Sequence, residues 1–306
     1  MTNIYKANKL STEQRIEYAL CNLEKANKKV RSFHKDYQTY LATQRNILID
    51  DIINSLKKVG RKRHKGIFYR VVSAKYMNDP LCTSGSLLYS GRFNFGNISY
   101  DYTPFACLYV SNNLDGAKHE KFPNKENEFL STSEMSLIPN DSFLTSRCKI
   151  NLTKCMDIRT TDSLIDFTKV IAQINPTNSF QRKWRKMNRK VSGKNKVEKL
   201  ETIKKPEVLS QYLLEVYYEQ WITWLDIPSN SQWFGHYVKE TGIEAIIYPS
   251  VRYKECYNLA IYPENFGSKS YVCLIDEHTS VPIERIEINK KNYKFFEQSF
   301  ENFSVQ

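Results

Sequence analysis

No run of about 18 apolar residues occurs in this sequence, so no membrane-spanning helix is expected. The opening residues, Met1-Thr2-Asn3-Ile4-Tyr5-Lys6, lack the apolar stretch of a secretory signal. The seven cysteines include no Cys-x-x-Cys pair and no zinc-type spacing, and their odd number fits reduced thiols in a cytosol-like compartment. No Gly-Lys-Ser/Thr follows a spaced glycine and no Gly-x-Ser-x-Gly occurs, which excludes a Walker loop and a hydrolase nucleophile elbow. Gly91 to Gly96 has the wrong spacing, and in Arg92 the wrong neighbour, for a dinucleotide fingerprint. His119-Glu120 is followed by Lys121-Phe122-Pro123, so the second histidine of a zinc-protease helix is missing. No metal site is expected.

The sequence does have length, aromatics and localised charge. Its 306 residues suffice for one large domain or two ordinary ones, and 41% hydrophobic content with 20 Tyr and 16 Phe supports a sizeable core. The net charge is +12. Six Lys/Arg and no acid fall in Lys57–Lys65, and eleven Lys/Arg against Glu198 and Glu201 fall in Arg182–Lys205. These two patches exceed the whole net charge, so the remainder is slightly acidic. Basicity is thus local, which weakens a whole-protein nucleic-acid reading while leaving either patch able to meet a phosphate polymer. Solvated loops are the plainer explanation.

Residues 1–65 read as a helical segment followed by a basic linker, Lys57–Lys65. Ser11-Thr12-Glu13-Gln14 has capping-box form, and Ile16, Ala19, Leu20 and Leu23 follow at helical spacing. Phe33, Tyr37, Tyr40, Leu41, Ile47, Leu48, Ile52 and Leu56 continue the period, as two antiparallel helices or one bent helix. From Gly66 the pattern turns to strands: Ile67–Val72, Ala106–Ser111, then Phe143-Leu144, Arg147–Leu152 and Met156–Ile158. A helix over Asn113–Lys121, capped by Asn112 and ended by Pro123, carries Glu120. Residues 168–206 form a basic insertion, helical through Phe180–Met187. Leu209, Leu213, Val216, Tyr217, Gln220, Trp221 and Trp224 outline a further helix, and Ser231–Thr241 another. Buried strands at Gly242–Tyr248 and Asn258–Pro263 flank a Pro249-Ser250 turn. Residues 264–306 form a β-rich extension with a hairpin from Tyr271–Ile275 and Ile283–Ile288.

The residues left with chemical potential are Arg70, Arg92, Asn94, Tyr109, Glu120, Ser250, Arg252 and Asn258. Taken singly each has a plain structural explanation: a surface ion pair for Arg70, core for Tyr109, an exposed helix position for Glu120, a turn for Ser250.

Their order resembles the RES domain family. Phe68-Tyr69-Arg70, Gly91-Arg92-Phe93-Asn94 with Gly96, and Leu108-Tyr109-Val110-Ser111 followed by Ala117 and Glu120 match the family's successive boxes. Gly242–Ser250 and Asn258–Pro263 resemble its closing strand, Pro-Ser turn and Asn-Leu strand. The match covers 66–263, with 168–206 unshared. Lys118-His119 stands where small or apolar residues are usual, and Phe93 where Trp is commoner.

The resemblance implies an α+β fold, with an ADP-ribosyltransferase-like mixed β core and flanking helices preceded by the N-terminal helical segment. It implies an NAD-consuming toxin of a toxin–antitoxin pair that breaks the nicotinamide–ribose bond by phosphorolysis or hydrolysis. NAD would be the substrate, inorganic phosphate a co-substrate, and an antitoxin the partner, in the cytoplasm of its own or a target cell. Glu120, Arg70 and Tyr109 would be catalytic; Arg92, Asn94, Ser250, Arg252 and Asn258 would bind NAD or phosphate. Two alternatives stay open at this point: an ADP-ribosyltransferase acting on a protein or nucleic acid, and a non-catalytic nucleic-acid-binding protein using the basic patches.

Overall fold

The computed structural model describes residues 12–97, 102–122, 143–192, 200, 202–215, 227–275 and 281–298. It divides into a helical unit, Met1–Ile47 with Ala172–Thr202, and a sheet unit, Leu48–Ile171 with Ile203–Gln306. The expected capping box at Ser11, the helix positions Val216 to Trp224, and the Pro123 stop lie outside the described residues. No described helix is long and apolar enough to cross a membrane.

In the helical unit, α1 (Thr12–Ile47) is one continuous helix of 36 residues where two antiparallel helices or one bent helix was expected. Aromatics at i, i+4 and i+7 on α1, Phe33, Tyr37 and Tyr40, share one face. They meet Phe180 and Trp184 of α6 (Asn178–Ser192), with Phe33 to Trp184 at 5.5 Å and Tyr40 to Phe180 at 5.1 Å between ring centroids. Edge and tilted pairs of this kind contribute beyond the area they bury.

The sheet unit is mixed α+β and is organised on β3 (Phe143–Asp157), 15 residues long. The three short strands expected there are one, because Cys148, Ile150 and Leu152 point inward without a break while Arg147 and Lys149 face out. Along one edge β3 pairs antiparallel with β1 (Lys62–Ser73). The other edge serves β6 (Tyr271–Leu274) at Cys148–Asn151 and β4 (Ala245–Pro249), in parallel, at Cys155–Asp157. β4 pairs with β5 (Tyr257–Ile261), β5 with β2 (Leu108–Ser111), and β2 returns to β1. The ladder β1-β2-β5-β4-β3 therefore closes on itself, with β6 and β7 (Glu287–Asn289) appended.

Both faces of the central strands β4 and β5 are buried, which is why they read as largely apolar runs. Ala245, Ile247, Leu259 and Ile261 pack with Phe68, Leu108 and Ile150 on one side. Ile246, Tyr248 and Ala260 pack on the other with Phe93, Met156 and the helices α2 (Ile49–Lys57), α7 (Pro206–Leu213) and α8 (Asn230–Glu240). α8 starts on a complete capping box between Ser229 and Gln232. It is followed by Gly242, whose φ of +73° lies in the left-handed region that favours glycine.

Several sequence boundaries shift. Lys62–Lys65 belongs to β1 and is no linker, because its backbone pairs with Asn151–Cys155. Ile52 and Leu56 are fully buried in the sheet unit, so the helical N-terminus does not run intact to residue 65. Thr168 is buried in α5 (Ile165–Ile171), so the insertion proper starts at Ala172. Ala106 and Cys107 precede β2, and Asn113 rather than Asn112 caps α4 (Leu114–Lys121). Ile283–Arg285 is a 3-10 turn, so only Glu287–Asn289 completes the expected hairpin with β6.

Residues beyond 264 are also part of the main core. Val272, Ile288 and Phe296 are buried. Arg285, fully buried, pairs with Asp79 and lies 4.1 Å from the Phe295 ring centroid. Thr83 donates from its backbone N–H (2.8 Å) and its hydroxyl (3.0 Å) to the Phe296 carbonyl. The end of the described chain thus fastens the 79–84 loop, whose short helix α3 (Ser84–Leu88) leads into the glycine box.

Candidate active site

β1, β2, α4, the glycine box and the β4–β5 turn converge on a cavity of about 180 Å³. Six of the eight residues singled out in the sequence line it: Arg70, Arg92, Tyr109, Glu120, Arg252 and Asn258. Asn94 and Ser250 are bonded to lining residues without lining it themselves.

Glu120 sits in the last turn of α4, where the helix dipole disfavours an anion. Three donors offset this. The Ser250 hydroxyl (2.6 Å) and Asn258 Nδ2 (2.8 Å) both donate to Glu120 Oε1, and Arg252 Nη1 donates to the Glu120 carbonyl (3.0 Å), a helix-end group with no intrahelical partner. Oε2 has no hydrogen-bond partner among the described residues. Ser250 is held in turn: its oxygen accepts from the backbone N–H of Arg252 (3.3 Å) and Tyr253 (3.1 Å). Asn258 is set by sheet register opposite Ser111 and Tyr248. Its Oδ1 is buried and unpartnered among the described residues. Ser250 and Asn258, expected to touch ligand oxygens, here orient the carboxylate.

α4 itself is anchored by Asn113, whose Oδ1 accepts from Asp115 N (2.8 Å) and Gly116 N (3.0 Å). At Gly116 a Cβ would collide with Cys256 Sγ and the Ser111 hydroxyl. The absence of a side chain lets the helix approach β2 and the turn closely enough for Glu120 to reach Ser250.

Arg70 is partly buried, and its guanidinium spans three carbonyls: Nε to Pro80 (2.8 Å), Nη1 to Tyr109 (3.0 Å) and Nη2 to Cys82 (3.1 Å). No carboxylate pairs with it among the described residues, and burial lowers its pKa. A surface ion pair is therefore not its place. Its positive charge is set into the cavity wall by neutral acceptors, leaving its field available to an anion. Arg92 is buried and donates from Nη1 to the carbonyls of Glu215 (2.7 Å) and Leu213 (3.5 Å), tying the box to the end of α7.

The glycine box is braced by Asn94 and Tyr109. Asn94, fully buried, accepts at Oδ1 from Gly91 N (2.9 Å) and the Tyr109 hydroxyl (2.8 Å), and donates from Nδ2 to the Ser86 carbonyl (2.7 Å). The Tyr109 oxygen accepts from Phe93 N (2.9 Å). Burial pushes this hydroxyl well above the usual tyrosine range, so it stays protonated. Its place in the fold is that of a brace, and the ring alone is left for contact. At Gly91 any Cβ would lie 2.6 Å from Asn94 Oδ1 and from the Tyr109 ring and oxygen. Gln232 Nε2 holds the Gly91 carbonyl at 2.9 Å.

Tyr248, Tyr69, Ser111 and Lys121 also line the cavity and were missed in the sequence. Tyr248 had a readable signal: it immediately precedes Pro249-Ser250 on a strand where alternate residues share a face. Its ring meets Phe93 edge-on at 4.9 Å. Lys121 and Tyr69 directly follow and precede candidate residues and had no signal of their own.

Chemically, the site offers one carboxylate held rigid through one oxygen, a partly buried and a buried guanidinium group, tyrosine faces, and a buried amide acceptor. No cluster of three or more metal-ligating side chains occurs among the described residues.

No protein-family model matches the chain, and no curated protein matches it. Among solved structures, a chain of the crystal structure of the M. tuberculosis MbcT–MbcA toxin–antitoxin complex is similar at 11% identity and a TM-score of 0.40, covering 81% of this chain and 97% of that one. Likeness at that level bears on neither activity nor partners.

Proposed function

We propose that this chain is an enzyme that cleaves the nicotinamide–ribose bond of NAD, with phosphate or water as the acceptor. The observation that carries this reading is the clamp on Glu120, a single carboxylate whose Oε1 is fixed by Ser250 and Asn258 while Oε2 faces no partner among the described residues. The resemblance of the ordered boxes to RES domains, whose core resembles that of ADP-ribosyltransferases, supports the same choice of substrate.

The bond in question needs little from a protein. Nicotinamide departs as a neutral amine from a cationic glycoside, taking the bonding pair, so no general acid is required. Positive charge accumulates on C1′ and the ring oxygen, and a fixed carboxylate beside the ribose stabilises it, as in glycosidases. Glu120 has the charge and rigidity for that role. Arg70 and Arg92 attract the pyrophosphate or an incoming phosphate by charge, and the unpartnered Asn258 Oδ1 accepts from a ribose hydroxyl. The ring of Tyr109 or Tyr248 packs against nicotinamide or ribose. Phosphate or water then adds at C1′, water losing a proton to solvent. Unrestrained loss of NAD is toxic to any cell, which gives an antitoxin partner its reason.

Incubating the purified protein with NAD, with and without phosphate, and identifying what appears beside nicotinamide tests the reading. Glu120→Gln keeps an oxygen for Ser250 and Asn258 but loses the charge, and is expected to lower kcat roughly 100- to 1,000-fold. Unchanged NAD consumption by that variant would remove Glu120 from the mechanism. Label from adenine-labelled NAD recovered on a macromolecule would replace phosphate or water by that acceptor.

A further inference from the structure

Helix α6 of the helical unit carries no acidic residue in Asn178–Ser192. Its two faces differ sharply. Phe180 and Trp184 are turned to Phe33, Tyr37 and Tyr40 of α1, with ring centroids 5.1 to 6.2 Å apart. Arg182, Arg185, Lys186 and Arg189 stand at i, i+3, i+4 and i+7, which places them on one stripe opposite those rings. All four are exposed. Lys183, off this stripe, is the one drawn to Asp36, at 3.8 Å. Four cations over the eight residues Arg182–Arg189 span roughly 10 Å of helix.

We infer that this stripe is a docking surface for the phosphate backbone of a nucleic-acid duplex. A stripe of four cations on a rigid helix matches a polymer that presents about one negative charge per 1.7 Å of duplex axis. An anionic membrane fits less well, because the apolar face a surface helix would insert is already occupied by α1. A single strand fits less well too, because the aromatics that would stack its bases are turned to α1. Contacts of this kind recognise backbone and not sequence. The inference stands on the helical unit alone and is independent of any reaction in the sheet unit.

The test uses the full chain and a fluorescent 25-base-pair duplex of arbitrary sequence, with binding measured between 50 and 200 mM salt. The expected result is affinity that falls steeply with salt. Changing Arg182, Arg185, Lys186 and Arg189 together to Gln is expected to lower the slope of log K against log salt by about 3 to 4, and affinity at 100 mM salt at least roughly tenfold. Replacing the three arginines by Lys is expected to keep both. If the glutamine set unfolds by circular dichroism, Arg185→Gln with Arg189→Gln reads half the change in slope. An unchanged slope in the neutralised chain overturns the inference. So does binding to vesicles of anionic lipid, or to polyglutamate, as tight as binding to the duplex.

Discussion

The hydroxyl of Tyr109 is the place where brace and catalyst can be told apart. It accepts from Phe93 N–H at 2.9 Å and donates to Asn94 Oδ1 at 2.8 Å, both away from solvent. Tyr109→Phe keeps the ring in the cavity wall and deletes only this oxygen. Asn94 Oδ1 retains Gly91 N–H, so its loss is one ordinary hydrogen bond of about 1 kcal/mol. Phe93 N–H, behind a fully buried ring, is left without an acceptor, which costs about 1 to 2 kcal/mol more. The total of about 2 to 3 kcal/mol corresponds to a fall in Tm of about 5 to 10 °C for a unit of this size. Thermal unfolding reads that shift. NAD consumption, measured 15 to 20 °C below both midpoints (a margin of roughly twice the expected shift), is expected to fall less than about tenfold, since the hydroxyl touches no reacting atom. A variant as stable as the parent that loses roughly 100-fold or more in kcat would refute the reasoning, because that is the signature of proton transfer or charge stabilisation by the oxygen itself.

Asp79→Ala takes the carboxylate from the fully buried Arg285, which keeps only carbonyl acceptors such as Phe295, and a drop in unfolding free energy of about 3 kcal/mol by urea titration is expected; Asp79→Ala with Arg285→Met recovers part of it. Acid stability depends on Asp157. Burial pushes its pKa up, but the Arg159 side chain and N–H and the Lys62 ammonium outweigh this and hold it down at about 2. A depressed carboxylate stabilises the fold above its unfolded pKa of about 4 and ceases to as pH falls from about 4 to 2; with both cations partly exposed the effect is about 1 kcal/mol. Asp157→Asn is expected to flatten the stability curve in that window and leave it unchanged in shape above pH 5 or so.

The sheet was legible wherever side chains alternate or run apolar: the strands expected at Gly242–Tyr248 and Asn258–Pro263 exist, shifted at their ends to Ala245–Pro249 and Tyr257–Ile261, and both are buried on both faces. Boundaries were less legible. Lys62–Lys65 looked like a linker because its basic side chains advertise solvent, yet a strand edge exposes side chains while its backbone pairs. Residues after 264 looked like an appendage because the partners of Arg285 and Phe296 are some two hundred positions earlier, at Asp79 and Thr83, and no local pattern reports such a distance. For the site, the residue types and their order identified six lining positions. What they do to one another was not readable: Asn94, Ser250 and Asn258 each looked like ligand contacts, and the structure spends their hydrogen bonds on Gly91, Tyr109 and Glu120. A polar side chain beside a pocket looks the same in one dimension whether it faces the ligand or holds the residue that does.

The fastening of the 79–84 loop by Arg285 and Phe296 sets a timetable for synthesis. Two of the three carbonyls that seat Arg70 belong to that loop, so the pocket wall stays unfinished until residues near Phe296 have left the ribosome. Nascent chains lacking them carry Arg70, Tyr109, Glu120, Ser250 and Asn258 with no firm seat for the first of these. On the function proposed above, a chain cut short before these residues has an unfinished Arg70 seat, so activity has to wait until translation is nearly complete.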